Sequence, residues 1–273
     1  MADVRALRRL AVVVGVTLLA LNLSGLLTSP SFDVVVTSGE RFDPALAAST
    51  RSVEALLAAA DVPASADPTA TMDALFDVVT RRFTHGDRTY GVRENWLLAL
   101  LGRVHEAFGH IRDPEALLDR SPQALCSEQQ SYVLMSLASA RGIATRHVGL
   151  YGHVVMEAWL DEDWRMYDPD FEVASPAGVR ALSCDADAVR AVYADSTASP
   201  GEIDALVAIY TSREDNSFVA YPNLAQFEWK SQVLLLFERM AGWLKWLIPV
   251  GLLAIAARKV RRRDGPSPAS RQL

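Results

Sequence analysis

Hydrophobic residues are concentrated in two long segments, one near each end of the chain. Residues 10–28 contain no charged side chain, and a helix over them would span ~28 Å, about the hydrocarbon thickness of a bilayer. Residues 240–257 contain one charge, Lys245, which stands between Trp243 and Trp246, where a lysine can extend its ammonium group to the interface. The pattern predicts two transmembrane helices. A buried or interfacial amphipathic helix is the alternative for the second segment.

Basic residues flank both apolar segments on their outer sides. They are Arg5, Arg8, Arg9, Arg258, Lys259, Arg261, Arg262 and Arg263. The positive-inside rule therefore predicts that residues 1–9 and 258–273 are cytoplasmic and that residues 29–239 lie on the other side, in the periplasm if the protein is bacterial. A cleaved signal peptide is the alternative for the N-terminus. It is disfavoured because the apolar run is long and LLTSPSF lacks a small-x-small cleavage site.

The segment between the apolar stretches is acidic. Residues 29–240 contain 31 Asp and Glu against 17 Lys and Arg, a net charge of −14, whereas the flanks together carry +8. Such a domain is a poor candidate for binding nucleic acid, and the basic tail is better explained by contact with anionic lipid headgroups. The two cysteines, Cys126 and Cys184, are too few for a disulfide framework. We expect them to be unpaired, although one disulfide in an oxidising compartment is the alternative.

Helical periodicity dominates the first half of this middle segment. Start signals are supplied by Asp67-Pro68 and Asp113-Pro114, with aspartate as the N-cap and proline at the first helical position. Apolar residues elsewhere recur at helical spacing. The predicted helices are 44–60, one beginning at Asp67-Pro68, 94–108 and a short one beginning at Asp113-Pro114, with a loop at 85–91.

The periodicity changes from helix to strand in the middle of the chain. A helix is predicted over 121–141, with Gly142 as its C-terminal stop. Beyond it, IATRHVGL, HVVMEAWL and WRMYD have strand-like patterns, and an acidic turn at 161–163 joins the last two. Residues 183–225 give no clear signal, and a long helix is predicted from Glu228 into the second apolar segment. The chain is therefore predicted to be α+β.

Cys126, His153 and Asp168 have the residue types of a nucleophilic triad. A cysteine near a helix start gains from the partial positive charge there, which lowers the thiol pKa. Histidine can act as its base near neutral pH, and a carboxylate can fix the histidine tautomer. A two-residue turn at 161–162 would place Asp168 opposite Val155. Asp168 would then lie one diagonal step from His153, whereas a one-residue shift would send it to the other face.

Several short motifs accompany the three residues in a fixed order. They are Cys126 opening a helix, Gly142-Ile143, Ala144-Thr145-Arg146, Gly152-His153 with Glu157, Trp164 and Asp168-Pro169. This set, over residues 120–172 and more loosely 75–180, resembles the core of the transglutaminase-like superfamily of papain-like enzymes. The resemblance implies a papain-like α+β fold, in which the helix bearing the cysteine packs on an antiparallel sheet. It also implies that Cys126 is the nucleophile, His153 the base and Asp168 the orienter.

The resemblance implies a cysteine peptidase, amidase or acyltransferase that acts on an amide or peptide bond through a thioester at Cys126. It does not imply transglutamination, because the superfamily also includes peptidases, deglycosylating amidases and members that lack the triad. A non-catalytic binding or assembly module of the cell envelope is the alternative. A scaffold of envelope-polysaccharide machinery, whose membrane helices carry the function, is a third.

The remaining polar candidates are assigned smaller roles. The second oxyanion donor of this family is often a side chain upstream of the cysteine, and Trp96, Asn95 and Tyr90 are candidates. Arg146 and Glu157 are expected to be structural. No cofactor or metal is expected, because the histidines of HEAFGH are five residues apart, ~140° around a helix, unlike an i, i+4 zinc pair.

Overall fold

The fold combines an antiparallel sheet, covered by helices on both faces, with a pair of long apolar helices. The computed structural model of the protein describes residues 2–28, 36, 39–63, 66–86, 88–212, 216–221 and 229–258. The helices are α1 (Ala2–Leu27), α2 (Pro44–Ser49), α3 (Val53–Ala59), α4 (Pro68–Arg82), α5 (Val92–Gly102), α6 (Pro114–Arg120), α7 (Cys126–Ala140), α8 (Val179–Leu182), α9 (Ala186–Tyr193), α10 (Pro200–Ser212) and α11 (Trp229–Ala257), with a 3₁₀ turn at Glu106–Phe108. The strands are β1 (Thr84–Gly86), β2 (Gln123–Leu125), β3 (Thr145–Leu150), β4 (His153–Leu160), β5 (Asp163–Asp168), β6 (Val173–Ser175) and β7 (Ser217–Tyr221). The predicted α+β class is therefore confirmed.

The larger sheet has the strand order β6-β5-β4-β3-β7, and each neighbouring pair is antiparallel. The β4–β5 hairpin turns through Asp161 and Glu162, whose φ angles are 51° and 66°. Met156 stands opposite Tyr167 in this hairpin. The same register puts Asp168 opposite Val155, as the two-residue turn predicted.

The two faces of the sheet carry different cores. One face packs on α4 and α7 through Met156, Ala158, Leu160 and Tyr167. The other packs on α8, α9 and α10 through Val148, Leu150, Val155 and Met166. Because alternate residues of a strand share a face, His153 and Asp168 belong to the face that α8–α10 cover.

The helix predicted over 121–141 begins five residues later than expected. Residues 123–125 instead form β2, which pairs in parallel with β1 and places His85 opposite Ala124. This long-range pairing overrides the local helix signal and also makes part of the loop predicted at 85–91 a strand. Cys126 is consequently the first residue of α7.

The helix predicted over 44–60 is divided into α2 and α3, and a buried arginine binds the chain at the break, where Ser52 caps the start of α3. The guanidinium of Arg82 donates to the carbonyl oxygens of Thr50, at 3.0 Å from Nε, and of Ser121 and Leu118, at 2.9 and 2.7 Å. Burial lowers the pKa of Arg82 to about 9, so that the side chain remains charged at neutral pH. It binds the carbonyl ends of α2 and α6, where the helix dipoles favour a cation.

The helix predicted over 94–108 also ends early, at Gly102. The chain folds back there so closely that a Cβ on Gly102 would lie 2.8 Å from the Cα of Gly109. The two Asp-Pro start signals are confirmed, since Asp67 and Asp113 accept hydrogen bonds from backbone N–H groups in the first turns of α4 and α6.

The two terminal helices are long and apolar enough to cross a membrane. The candidate spans are Val4–Leu27 and Val233–Ala257, and only 17% and 11% of their most apolar windows are buried inside the protein. The core helix of a soluble domain would instead be mostly buried. Helix α1 begins before the predicted limit of residue 10 and ends at Leu27, whereas α11 runs from Trp229 to Ala257, in agreement with the long helix predicted to continue into the second apolar segment. The basic residues from Lys259 onward, and Glu228, lie outside the described residues.

The two terminal helices pack against each other in opposite directions. Arg8 donates to the carbonyl of Arg258, and a Cβ on Gly15 would lie 2.9 Å from Leu253. The start of α1 therefore lies beside the end of α11.

A proline inside α11 contributes a specific contact between these helices. Pro249 has no N–H to bond to the carbonyl of Lys245, one turn earlier. Asn22 of α1, which is buried, donates to that carbonyl from Nδ2 at 2.7 Å. The neighbouring helix thus satisfies the carbonyl that the proline leaves open.

Helix α5 connects the helix pair to the rest of the protein. The ammonium group of Lys245 donates to the carbonyl of Glu94 at 2.7 Å, and Glu238 accepts a hydrogen bond from the Tyr90 hydroxyl at 2.8 Å. A Cβ on Gly25 would clash with the carbonyl of Arg93. Helix α5 thus supplies an acceptor to Lys245, and the extension of its ammonium group to the membrane interface stays a prediction.

Candidate active site

His153 and Asp168 form a buried pair at one end of the β4–β5 hairpin. His153 is the first residue of β4 and Asp168 the last of β5. Nε2 of His153 lies 2.7 Å from Oδ2 of Asp168, and the two residues are 7% and 0% exposed. The hairpin register, which follows from the two-residue turn, therefore brings together two of the three predicted site residues.

The carboxylate of Asp168 is surrounded by donors. Oδ2 also accepts from the hydroxyl of Tyr193 at 2.7 Å, and this hydroxyl lies 2.8 Å from that of Tyr210. Oδ1 accepts from the backbone N–H groups of Asp170 and Phe171 at 3.2 and 3.4 Å. These bonds fix the orientation of the carboxylate and compensate for its burial.

The charge on Asp168 controls the protonation of His153. Burial is the largest single influence and lowers the pKa of His153, but the charge and hydrogen bond of Asp168, with the charge of Asp170, together raise the pKa above its ordinary value. Because a carboxylate only accepts, Nε2 carries the hydrogen. Nδ1 is then the ring nitrogen left for a thiol. The ring of Phe171, 5.5 Å away between centroids, limits the positions His153 can take.

The first turn of α7 lies beside the start of β4. Ser127 Oγ accepts a hydrogen bond from the backbone N–H of Val154 at 2.9 Å. Cys126 is the residue before Ser127 and His153 is the residue before Val154, so each lies one residue from this contact. The side chain of Cys126 lies outside the described atoms. At the first position of a helix, a thiolate is favoured by the helix dipole.

A second histidine and aspartate meet close to the first pair. Nδ1 of His85 lies 2.9 Å from Oδ1 of Asp170, and Nε2 of Gln130 donates to the same oxygen at 3.4 Å. The hydrogen bond that His85 donates to Asp170 raises the pKa of His85. The sequence contained one signal for this pair, the repetition of aspartate in Asp168-Pro169-Asp170.

The three residues considered as second oxyanion donors are held elsewhere. The Tyr90 hydroxyl bonds to Glu238, and Nε1 of Trp96 donates to the carbonyl of Lys245 at 3.4 Å. Asn95 is buried within α5, where its Oδ1 accepts from a backbone N–H. All three are therefore committed to bonds within α5 or to contacts with α11.

Arg146 and Glu157 form an ion pair between β3 and β4, in agreement with a structural role. Glu157 is fully buried, and its other oxygen accepts from the backbone N–H of Val179 at 2.7 Å. His147 lies on the opposite face, stacked on Tyr132 of α7, and burial lowers its pKa to about 4. Cys184 is exposed.

Comparison of the chain with protein-family models, with curated proteins and with solved structures found no match. The first turn of the helix that Cys126 begins contacts the start of the strand that His153 begins, and His153 is held by a buried carboxylate. A thiol and an oriented imidazole are the groups that nucleophilic attack on an acyl carbon requires. Tyr193, Tyr210, His85 and Asp170 join this region without having been predicted.

Proposed function

We propose that the protein is a membrane-anchored cysteine enzyme with a transglutaminase-like, papain-like core, which acts on an amide bond through a thioester at Cys126. The observation that carries this proposal is the 2.7 Å contact between His153 and Asp168, located next to the first turn of the helix that Cys126 begins. Asp168 orients the imidazole by holding Nε2, and Nδ1 serves the cysteine.

The proposed reaction has two steps. His153 takes the proton of Cys126, the thiolate attacks the amide carbonyl, and the C–N bond breaks as His153 returns the proton to the leaving amine. The thioester is then opened by water or by an amine, which loses its proton to His153 as the thiolate leaves. The substrate is a peptide, a protein or another amide.

A depressed pKa of Cys126 is the first expected result. The helix start and a nearby His153 both favour the thiolate. The experiment measures the rate of alkylation by iodoacetamide as a function of pH in full-length protein carrying Cys184→Ser. The rate is expected to reach half its maximum at a pH well below the free-thiol pKa of ~8.5. Cys184 is the matched control, because it is exposed and lies after a four-residue helix rather than at a helix start. Its alkylation is measured in the Cys126→Ser variant, where it is the remaining thiol. A midpoint for Cys126 at or above that of Cys184 would contradict the proposal.

A non-catalytic binding or assembly module is the second candidate. The observation that favours it is the burial of His153, since a 7% exposed imidazole also suits a purely structural pair. The reactivity of Cys126 distinguishes the two candidates. A structural cysteine is alkylated slowly, and the pH midpoint of its alkylation is not lowered.

We also propose that α1 and α11 cross the membrane, with both termini cytoplasmic and the domain between them outside the cytoplasm. The exposed apolar faces and the outer basic residues support this arrangement. The contacts of Asn22 with α11 and of Gly25 with α5 favour a permanent helix over a removable signal peptide.

A reporter fused after residue 273 tests the orientation. An enzyme reporter that works only in the cytoplasm is expected to be active, and one that works only outside it is expected to be inactive. A fusion that replaces α11 and everything after it, joined at residue 228, is the matched control and is expected to reverse both results. If the outside reporter were active at residue 273, with equal expression, then α11 either does not cross the membrane or crosses it in the opposite direction.

A further inference from the structure

The pairing of β1 with β2 brings His85 to the approach to Cys126. His85 stands opposite Ala124 and Gly86 opposite Leu125, in a parallel ladder that ends where α7 begins. Neighbouring strands lie ~4.8 Å apart. His85 is therefore one strand away from the residues that immediately precede the nucleophile.

A second connection reaches the same end of α7 from the other side. Gln130 lies one helical turn beyond Cys126, and its amide donates to the carboxylate of Asp170, which holds His85. The backbone N–H of Asp170 in turn donates to Asp168. The two histidine–aspartate pairs are thus linked, and His85 is close enough for its charge to lower the pKa of His153.

The exposure of His85 distinguishes it from a histidine that only neutralises a buried acid. The side chain of Asp170 is 1% exposed, whereas that of His85 is 46% exposed. Nδ1 is committed to Asp170, so the exposed part of the ring includes the side that bears Nε2. A solvent-facing N–H held in place by a buried carboxylate is a preorganised hydrogen-bond donor.

We propose that His85 is the second oxyanion donor of the site: its Nε2–H binds the carbonyl oxygen of the acyl group that Cys126 attacks, beside the backbone N–H of Cys126. This role rests on the proposed function. As the C–S bond forms, the carbonyl π electrons move onto the oxygen, and His85 stabilises that charge. When the electron pair on the oxygen re-forms the carbonyl and the C–N bond breaks, His153 protonates the leaving amine. His85 keeps its proton throughout.

The role requires His85 as the imidazolium, because Nδ1–H bonds to Asp170 while Nε2–H bonds to the substrate. The surrounding groups favour this form. Asp170 has the largest effect on the pKa of His85, and the acids Glu40 and Glu202 raise it further. Glu40 lies directly against the strand, where its carboxylate accepts the backbone N–H of His85 at 2.8 Å.

Two reagents separate an oxyanion donor from a structural residue. Acylation of Cys126 by p-nitrophenyl acetate passes through an oxyanion, whereas alkylation by iodoacetamide does not. In full-length Cys184→Ser protein, His85→Ala is expected to slow acylation about 100-fold and to change alkylation by no more than about threefold. His85→Gln, which keeps a neutral N–H donor, is expected to recover part of the loss. His105→Ala, in an exposed loop, is the control and should alter neither rate.

The outcomes distinguish this role from the proposed function itself. If Cys126 of the parent protein reacts with neither reagent, the nucleophile is wrong and His85 loses its role with it. If both reactions are fast and His85→Ala slows neither, or slows both equally, only the role of His85 is wrong. Should the variants fail to fold, the parent protein still decides: the ratio of acylation to alkylation is expected to fall as the pH rises through the pKa of His85, and a constant ratio would overturn the role.

Discussion

Asp168→Asn is expected to slow the acylation of Cys126 by p-nitrophenyl acetate on the order of 100-fold. The amide keeps the size of the side chain but removes the charge that raises the pKa of His153. The amide also places an NH₂ group opposite a donor, either Nε2 of His153 or the backbone N–H of Asp170. The tautomer of His153 is then no longer fixed. In a serine triad this change costs about 10⁴ in turnover. A cysteine depends less on its third partner because it ionises more readily.

The same substitution is also expected to destabilise the protein, by about 2 kcal/mol, because a carboxylate with four donors becomes an amide with one fewer acceptor. Tyr193→Phe is the matched control. It removes one of the four donors but leaves the charge, and we expect about 1 kcal/mol of destabilisation with acylation within about threefold of the parent.

Acylation and urea unfolding are measured on the same full-length samples. An unfolded Asp168→Asn variant beside a folded Tyr193→Phe variant would make Asp168 a structural residue. Unchanged acylation in folded Asp168→Asn protein would show that His153 does not serve Cys126.

Arg82→Met is expected to produce the largest loss of stability, about 3–5 kcal/mol. Methionine fills a similar volume but leaves the carbonyls of Thr50, Leu118 and Ser121 without their donor. The neighbouring Arg81→Met is the control. Arg81 is 42% exposed and pairs with Asp43 at the surface, so its loss should cost less than about 1 kcal/mol.

The urea midpoints of the two arginine variants test this difference. Equal midpoints would mean that water replaces the guanidinium at the three carbonyls. The comparison also bears on the site, because the Ser121 carbonyl lies just before β2. A folded Arg82→Met variant with slow acylation of Cys126 would indicate that Arg82 positions the strand leading to the nucleophile.

The hairpin could be predicted from the sequence because its information is local. A two-residue turn fixes the register of two strands, and the register then decides whether His153 and Asp168 share a face. The helix starts at Asp67 and Asp113 were predictable for the same reason, since the capping side chain and its backbone partner are two or three residues apart.

The errors arose where distant residues decide local structure. The pairing of β1 with β2 turned 123–125 from helix into strand, and Arg82 binds the carbonyl of Thr50, where the helix predicted over 44–60 divides, across 32 residues. Tyr193 reaches Asp168 across 25 residues, and His85 reaches Asp170 across 85. No spacing rule connects such positions, so a single sequence could not reveal them.

The tripeptide Asp168-Pro169-Asp170 holds both imidazoles, one on each carboxylate. Successive α-carbons are ~3.8 Å apart across a trans peptide, and the ring of Pro169 fixes its φ near about −65°. Covalent geometry, rather than the packing of distant helices, therefore sets the spacing between the two carboxylates. A change in the backbone of this tripeptide would therefore reach both histidines at once.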